Sequence, residues 1–551
     1  MMKTHKILLA ALLAAGVSMA AGAQNKTFKL GQWIEIENNV IRELNRFYAD
    51  SLPVDRMMKA SIDAMLEELD PYTVYVPEEE NEDFEMLIHK SYGGIGAVIH
   101  KKPGEYVSIN EPYAGSPAQK YGLRCGDQIM EIDGVDVRPL TSSESSERMK
   151  GKPGTTVVFK VKKVHTGEIV EVPIVRERIH LPDIEYAGMV DDTTGYVYQS
   201  GFTENASSEL RASIIELKKQ GMKRLVYDLR GNGGGLIQEA ISIVSIFVPK
   251  GTLVVTSKGT MSSNGQSKKD SNELFVNEYR TSAEPVDTEL SVIVLIDGAS
   301  ASASEIVSGA LQDLDRATIM GKRSYGKGLV QTIRPVAYNG TMKITTAKYY
   351  TPSGRCVQAR DYSKRNEDGS VGEIPDSLTN EFKTAHGRTV RDGGGITPDV
   401  DIPIQTYSRL VYSLVVGGII DTYALDYACR HEKIAPLDEF HYTDADYEDF
   451  VKYAMTQTFD YRSSAKALFD QMKKELKEDG IDESMSEELA ALEKAIDMDK
   501  EKFLRLKKDE IIPFIEEEIA VRYYYQAAGI KVRIRHDSQL ETALKSPLIS
   551  Y

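Results

Sequence analysis

Cysteine is scarce in this chain, which has only Cys125, Cys356 and Cys429 among 551 residues. Three cysteines are too few for a disulfide scaffold, so at most one bridge can form. No internal apolar run reaches the roughly 20 residues of a membrane-spanning helix, and stable membrane insertion is not expected. A chain of this length exceeds a single hydrophobic core, so two to four domains are expected.

Positive charge is also in short supply. The chain has 67 Lys and Arg against 83 Asp and Glu, a net charge of -16 and a pI near 5.3. Nucleic acids and anionic membranes bind clustered Lys and Arg, so neither is expected as the main partner. There is no His-Glu-x-x-His segment and no paired-cysteine motif, so we expect no metal and no other cofactor.

The first 23 residues are typical of an export signal. Lys3 and Lys6 precede an apolar run over residues 7–15, and residues 21–23 read Ala-Gly-Ala. This pattern predicts cleavage before Gln24 and export to the periplasm or cell envelope in soluble form. The residue directly after the predicted cleavage point is Gln24 and not cysteine, so no lipid anchor is expected.

The predicted secondary structure then changes three times along the chain. Residues 24–90 have the apolar spacing of helices, whereas residues 91–178 form short β-rich stretches separated by turns. Strands alternate with helical stretches over residues 179–404, the pattern of an α/β core. Residues 405–551 are helical and heavily charged, which predicts a solvated appendage or a dimerisation surface and leaves a homodimer open.

Three serines follow a predicted buried strand over residues 291–296. Ser300, Ser302 and Ser304 come after a glycine and lie at or near the start of a predicted helix. Backbone N–H groups at a helix N-terminus can stabilise an oxyanion, which suits a nucleophile there. The same serines suit helix caps and small packing residues equally well.

A glycine-rich loop over residues 321–328 presents Lys327. Its spacing matches the start of a phosphate-binding P-loop, but Gly328 stands where that motif needs Ser or Thr, and residues 329–335 predict a strand. Ser324 and Lys327 also spell S-x-x-K, which requires a helical turn that the flanking glycines disfavour. Neither of these two site types is therefore predicted.

A third glycine-rich segment, residues 228–235, reads Asp-Leu-Arg-Gly-Asn-Gly-Gly-Gly and precedes an apolar helix. The dinucleotide-binding pattern fails because Leu236 occupies its last glycine position. We expect these glycines to let the backbone approach a substrate closely. None of the nine histidines lies in the three glycine-rich segments, so a Ser-His-Asp triad would need a distant histidine.

Together these segments resemble the carboxyl-terminal processing peptidases, also called tail-specific proteases. The resemblance covers roughly residues 60–403. It implies a multidomain α/β chain with a crotonase/Clp-protease-like protease core, a small β-rich PDZ domain and helical N- and C-terminal regions. The matching segments are 228–235, 300–305, 309–313, 325–331, 351–355 and 394–399.

The resemblance implies a serine endopeptidase with a Ser/Lys dyad. It assigns the nucleophile, the general base, a hydrogen-bonding partner of that base and two oxyanion-hole donors to Ser302, Lys327, Gln331, Ala303 and Gly234 respectively. A lysine acts as a base only when neutral, and lowering a lysine pKa from about 10.4 to near 7 corresponds to roughly 4–5 kcal/mol. Such a change calls for a dry, packed site. Asp313 also matches the family, but it follows Ser302 by eleven residues, about 16 Å along a helix, so a structural role is expected.

Residues 91–178 resemble the PDZ domain of these proteases. Residues 92–97 correspond to its carboxylate-binding loop, in which the N–H groups of Ile95, Gly96 and Ala97 are expected to hold a terminal carboxylate. This implies protein substrates with free, apolar carboxyl termini. Two alternatives stay open: a PDZ-like domain kept for packing or assembly, and a peptide-binding scaffold whose catalytic pair is vestigial.

Overall fold

The computed structural model describes residues 28–260, 274–460, 464–496 and 499–546. The predicted export signal lies outside these residues. The chain divides into two compact units between Tyr75 and Val76. The first unit contains helices α1 (28–47) and α2 (Val54–Glu67). The turn that follows is closed by Asp70, which accepts hydrogen bonds from the N–H groups of Tyr72 and Thr73 at 2.9 Å.

The second unit opens with the β-rich domain. Its main sheet is antiparallel with strand order β3-β4-β5-β7-β8, while β6 pairs with β5 and β2 pairs with β9. Val157, Phe159 and Val161 alternate with exposed or half-buried neighbours along β7 and fill the core, as period-two patterning requires. β1 (Val74–Val76) spans the division between the two units, and the elements that follow it are α3 (Asn81–His89), β2 (Ser91–Gly94), β3 (Ala97–His100), β4 (Val107–Pro112), α4 (Pro117–Lys120), β5 (Gln128–Ile132), β6 (Val135–Asp136), α5 (Ser142–Met149), β7 (Thr156–Lys162), β8 (Ile169–Val175) and β9 (Glu177–His180).

The α/β core is built on a six-stranded sheet of order β10-β11-β12-β15-β16-β21, parallel from β11 onward. A second, antiparallel set pairs in the order β17-β18-β13-β14. The predicted strand after the lysine loop is confirmed as β17. The elements are β10 (Ile184–Met189), β11 (Thr194–Gln199), α6 (Ala206–Lys219), β12 (Arg224–Asp228), α7 (Ile237–Val244), β13 (Leu253–Gly259), β14 (Phe275–Arg280), β15 (Ser291–Ile296), α8 (Ala303–Asp313), β16 (Thr318–Gly321), β17 (Leu329–Pro335), β18 (Thr341–Tyr350), β19 (Glu381–Lys383), β20 (Thr389–Arg391) and β21 (Val400–Asp401).

The apolar strand β15 is covered on both faces. Val292, Val294 and Ile296 join the core beneath α6, α7 and α8, whereas Ile293 and Leu295 face a second apolar cluster. Parallel strands buried on both faces read as continuous apolar runs, which explains this segment. The loops after β12 and β15 leave the same edge of the sheet, because the two strands are parallel neighbours.

The C-terminal region forms a helical domain with an apolar core of its own. Tyr423, Phe450 and Ile515 are fully buried in it, so the region is not the solvated appendage that its charge suggested. Among the described residues no single helix has the length and composition to cross a membrane; one bent pair, at 58°, meets both criteria together. That pair is α9 (Arg409–Val416) and α10 (Ile419–Arg430), and the remaining helices are α11 (Asp444–Thr456), α12 (Ser464–Glu478), α13 (Ser486–Ile496), α14 (Lys500–Leu506), α15 (Lys508–Tyr524), α16 (Gln526–Arg533) and α17 (Ser538–Lys545).

Candidate active site

Ser300 and Ser302 lie on the turn between β15 and α8, Ser304 lies in the first turn of α8, and the environments of the three serines differ. Ser300 is fully buried and its hydroxyl donates to the Leu229 carbonyl at 2.8 Å. Ser304 is fully buried and its hydroxyl donates to the Asn232 carbonyl at 2.9 Å. Ser302 is half-buried and directly precedes α8. The two outer serines therefore hold the turn, and the middle one is accessible.

The backbone at Ser302 is strained. Its φ is +55° and its ψ is -111°, a conformation that residues with a side chain rarely adopt. Such strain is stable only where the surrounding contacts over-determine it, and it is concentrated at functional sites. Here the Ser302 N–H is fixed by the Glu305 carboxylate at 2.8 Å.

Asn232 joins the glycine-rich turn after β12 to the serine turn. Its carbonyl oxygen accepts from the Ala301 N–H at 3.0 Å in addition to the Ser304 hydroxyl. Its side-chain amide donates to the Gln199 carbonyl at 2.9 Å and accepts from the Gly234 N–H at 2.9 Å. The sequence showed this residue only as part of a motif, and its position between glycines was the single signal of a role.

The two predicted oxyanion-hole residues lie side by side. Gly234 has a φ of +97°, and a Cβ atom on it would lie 2.8 Å from the Ala303 nitrogen and 2.8 Å from the Ser302 Cβ. The glycine turn therefore packs on the serine turn too closely for any side chain. Ala303 begins α8, so its N–H has no acceptor within the helix. The Gly234 N–H is engaged by the Asn232 side chain.

Glu305 links the serine turn to the lysine loop. One oxygen of its fully buried carboxylate accepts from the backbone N–H groups of Ser302 at 2.8 Å and Lys327 at 2.9 Å, so these two nitrogens are at most 5.7 Å apart, the sum of the two distances. The other oxygen accepts from the Gly326 N–H and the Ser324 hydroxyl, each at 2.6 Å. Burial raises the pKa of Glu305, and the four hydrogen bonds oppose that rise.

Sequence reasoning assigned no role to Glu305, although its distance of three residues from Ser302 is the spacing of a capping box. Ser324, which forms an S-x-x-K pattern with Lys327, is buried and has a structural role. Its hydroxyl donates to Glu305 and accepts from the Ile396 N–H at 2.6 Å. The loop after β16 is thus bonded to both the serine turn and the chain before β21.

The backbone on both sides of Lys327 is held in a confined space. A Cβ atom on Gly326 would lie 2.4 Å from the Ala359 Cβ, and one on Gly328 would lie 2.7 Å from the Gln358 nitrogen. The Gly328 N–H donates to the Gln358 side chain at 2.8 Å. Lys327 itself is half-buried, so its side chain extends from a fixed backbone.

Two further predicted residues, Gln331 and Asp313, bond to other segments of the core. Gln331 is on β17, where its amide donates to the Thr345 hydroxyl of β18 at 3.2 Å. Asp313, at the end of α8, forms a buried ion pair with Arg355 at 2.8 Å and accepts from the Ser353 N–H at 3.0 Å. These contacts agree with the structural role expected for Asp313.

The predicted carboxylate-binding loop lies before the edge strand β3. Ile95 is buried, and its carbonyl accepts from the Ala118 N–H at 2.8 Å. Gly96 has a φ of +73°, and a Cβ atom on it would lie 2.5 Å from the Cβ of Ser116. Ala97 begins β3, which pairs with β4 on one side in the β-rich sheet. The loop is therefore rigid and adjoins a strand edge, the arrangement by which a peptide adds to a sheet.

A metal centre finds no support in the ranges that the structure describes. They contain no group of three or more His, Cys, Asp and Glu residues placed to hold an ion. The three cysteines are free thiols.

Comparison with known proteins identifies the family. Residues 193–363 match the model of peptidase family S41, residues 85–162 match the PDZ domain, and residues 410–546 match a family described as probable PDZ-protease, C-terminal helical domain. Over 357 residues the chain is 34% identical to the carboxy-terminal-processing protease of Bartonella bacilliformis, which covers 64% of this chain and 78% of that protein. The chain belongs to peptidase family S41. The predicted family and the predicted multidomain α/β fold with a PDZ domain are thereby confirmed.

Other relatives of this S41 peptidase carry similar names. A probable CtpA-like serine protease of Staphylococcus aureus is 33% identical over 324 residues, which is 58% of this chain and 62% of that protein. The chain therefore spans slightly less than two thirds of that relative. Among solved structures it is similar to a photosystem II D1 C-terminal processing protease, at 23% identity and a TM-score of 0.32, covering 66% of this chain and 90% of the other. Membership of the family makes it a serine-type peptidase whose substrates are proteins.

Proposed function

We propose that this S41 peptidase cleaves exported proteins with Ser302 as the nucleophile and Lys327 as the general base. The observation that supports this most strongly is the Glu305 carboxylate, one oxygen of which holds the backbone N–H of both residues. This shared acceptor holds the backbone of Ser302 close to that of Lys327, although the two residues are 25 positions apart in the sequence. Rigid placement of a nucleophile and its base is the first requirement of this chemistry.

In the proposed reaction, the neutral amine of Lys327 takes the proton of the Ser302 hydroxyl while the serine oxygen attacks the peptide carbonyl. The oxyanion that forms accepts hydrogen bonds from the N–H groups of Ala303 and Gly234. Ala303 is suited to this because its N–H is at the start of α8, where the helix dipole favours negative charge. Gly234 would share its N–H with Asn232, and Gln331 would orient the lysine.

Substrate choice is assigned to the PDZ domain. The N–H groups of Ile95, Gly96 and Ala97 would hold the terminal carboxylate while the peptide pairs with β3, and an apolar last side chain would gain burial. Free, apolar carboxyl termini are therefore the proposed substrate class. The proposed domain limits are 91–178 for the PDZ domain, 179–404 for the protease core and 405–551 for the helical region.

Casein digestion tests the dyad. Ser302→Ala and Lys327→Arg should both abolish cleavage, since a guanidinium cannot act as a base in this pH range although it keeps the charge. Lys322→Arg is the matched control, because Lys322 lies in the same loop and forms a half-exposed ion pair with Asp401 at 2.7 Å. Cleavage by Ser302→Ala would exclude Ser302 as the nucleophile, and cleavage by Lys327→Arg would reduce Lys327 to a structural cation.

Matched peptides with free-acid and amidated ends test the PDZ assignment. Hydrogen bonds to a charged group contribute roughly 1.5–3 kcal/mol each, so amidation should lower kcat/KM about ten- to hundred-fold. Acetylation of the amino terminus, which changes one charge at the other end, is the control and should have little effect. Equal rates for acid and amide would exclude recognition of carboxyl termini. Export is tested separately by intact mass, which should show Gln24 as the first residue.

A further inference from the structure

The last helix that the structure describes, α17, is linked through Asp537 and Gln539 to Arg230, which lies beside the glycine turn of the candidate active site. Arg230 ends the Asp-Leu-Arg segment after β12 and is followed directly by the glycine turn. Its guanidinium donates to both oxygens of Asp228, at 3.0 Å from Nε and 2.6 Å from Nη2. It also donates to Asp537, at 2.5 Å from Nη2, and to the Gln539 side-chain oxygen, at 2.9 Å from Nη1.

These charges are largely shielded from solvent. The side chains of Arg230, Asp228 and Asp537 are 16%, 2% and 15% exposed. A guanidinium removed from water needs both carboxylates, because a buried charge without a partner is strongly destabilising. Asp228 is also shared, since its Oδ2 accepts from the Tyr196 hydroxyl at 2.6 Å.

Asp537 is itself held in place. Its Oδ1 accepts from the N–H groups of Gln539 and Leu540 at 2.9 Å and so caps α17. Leu540 and Ala543 of that helix are buried against the face of the sheet that carries Ile293. The position of this carboxylate is therefore set by the docking of α17 on the protease core.

Any displacement of Arg230 acts on the residues that follow it. The Gly231 N–H donates to Asp297 on the serine turn at 3.0 Å, and Asn232 bonds to Ala301 and Ser304. Gly234 packs on Ser302 with no space for a Cβ atom. The path from Asp537 to the serine turn is thus a continuous series of hydrogen bonds and close contacts.

We propose that Asp537 is a positioning residue of the peptidase. It acts through Arg230 and keeps the glycine turn in register with Ser302 and Ala303. The C-terminal helical domain is then part of the active-site framework. This inference rests on the proposed dyad, and its test must separate the two.

The test compares Asp537→Asn with Asp449→Asn in the full chain. Asp449 forms an exposed ion pair with Arg430 at 2.9 Å in the same helical domain and is the matched control. kcat and KM for a free-acid peptide are measured, with active sites counted by a fluorophosphonate that is left to react to completion, so that a folded site that reacts slowly is still counted. Dividing the rate by the number of labelled serines removes any loss of activity caused by misfolded molecules. A residue that only stabilises the fold would produce that kind of loss alone.

Asp537→Asn should lower kcat per titrated serine about ten- to hundred-fold with KM within about twofold, as expected for a reacting group displaced by up to 1 Å. Asp449→Asn should match the wild type. If Asp537→Asn does not fold, Asp537→Glu, which keeps the charge one methylene further out, replaces it and should also lower kcat. An unchanged kcat per titrated serine in the folded variant, while Ser302→Ala is inactive, would overturn this inference alone. Activity in Ser302→Ala would overturn both proposals.

Discussion

Replacing Glu305 with glutamine changes its hydrogen bonding while nearly preserving its size. The carboxylate accepts four hydrogen bonds, two at each oxygen. Glutamine offers one carbonyl oxygen and one NH2 group, which is a donor. Whichever way the amide is turned, two of the four donors lose their acceptor, and at least one backbone N–H faces an amide hydrogen.

The size of the effect follows from these contacts. Two hydrogen bonds to a charged acceptor contribute roughly 3–6 kcal/mol. Part of this is offset, because burial raises the pKa of Glu305, and a neutral amide avoids the desolvation penalty of the carboxylate. The lower end, about 3 kcal/mol, is therefore expected. If this free energy is lost from the stabilisation of the transition state, the rate falls about a hundredfold.

The assay measures kcat/KM on a free-acid peptide together with the midpoint of thermal unfolding. Glu305→Gln should lose about a hundredfold in kcat/KM, or lose less activity and show a lower midpoint, because the two losses share the same free energy. Glu216→Gln is the control, since Glu216 is exposed and pairs with Lys219 on α6. Wild-type values of both quantities in Glu305→Gln would refute the idea that this carboxylate holds the two loops together.

Three further predictions concern the backbone, a thiol and a carboxylate. Gly326→Ala should lower activity more than tenfold, because its Cβ would lie 2.4 Å from that of Ala359, whereas Gly369→Ala, with a similar φ of +82° and open space around it, should not. Burial raises the pKa of Cys125 to about 12, so mass spectrometry should show alkylation by iodoacetamide at pH 8 only after unfolding. Burial raises the pKa of Glu517 to about 7, above that of an unfolded glutamate, so its contribution to stability should be lost as the pH rises from about 4.5 through 7. Glu517→Gln should therefore raise the unfolding midpoint at pH 8 and not at pH 4.5, and an equal gain at both would contradict the assignment.

Much of the candidate active site was predictable because its signals are local. The apolar run of β15, the glycine after it and the serines before α8 specify strand, turn and helix within a dozen residues. The same applies to β12 and its glycine turn, and parallel pairing then brings the two turns together. The predicted strand at residues 329–335 was confirmed as well, as β17.

The supporting polar residues were not predictable in this way. Glu305 bonds to a loop about twenty residues away, and that pairing depends on the path of the loop after β16. Asn232 bonds to two segments that are distant in the sequence, to Gln199 through its side-chain NH2 and to Ser304 through its backbone carbonyl. A buried polar side chain is stable only if its partners are in place, and the sequence does not show which distant groups will be near.

The C-terminal domain also makes polar contacts between distant residues that the sequence does not show. Its charge pattern favoured a solvated appendage or a dimerisation surface, yet its charges include buried and partly buried ones that bond to the PDZ domain and to the protease core. Arg522, nearly fully buried, pairs with Asp421, which accepts from Asn110 of the PDZ domain at 3.2 Å. Asp537, fifteen residues further on, holds Arg230 beside the active site. α15, α16 and α17 are consecutive helices; a short 3-10 turn over Ile534–His536 separates the last two, and Asp537 caps α17. The domain proposed to read substrate termini and the site proposed to cut them therefore both contact this helical domain, for which the charge pattern alone favoured a solvated appendage or a dimerisation surface.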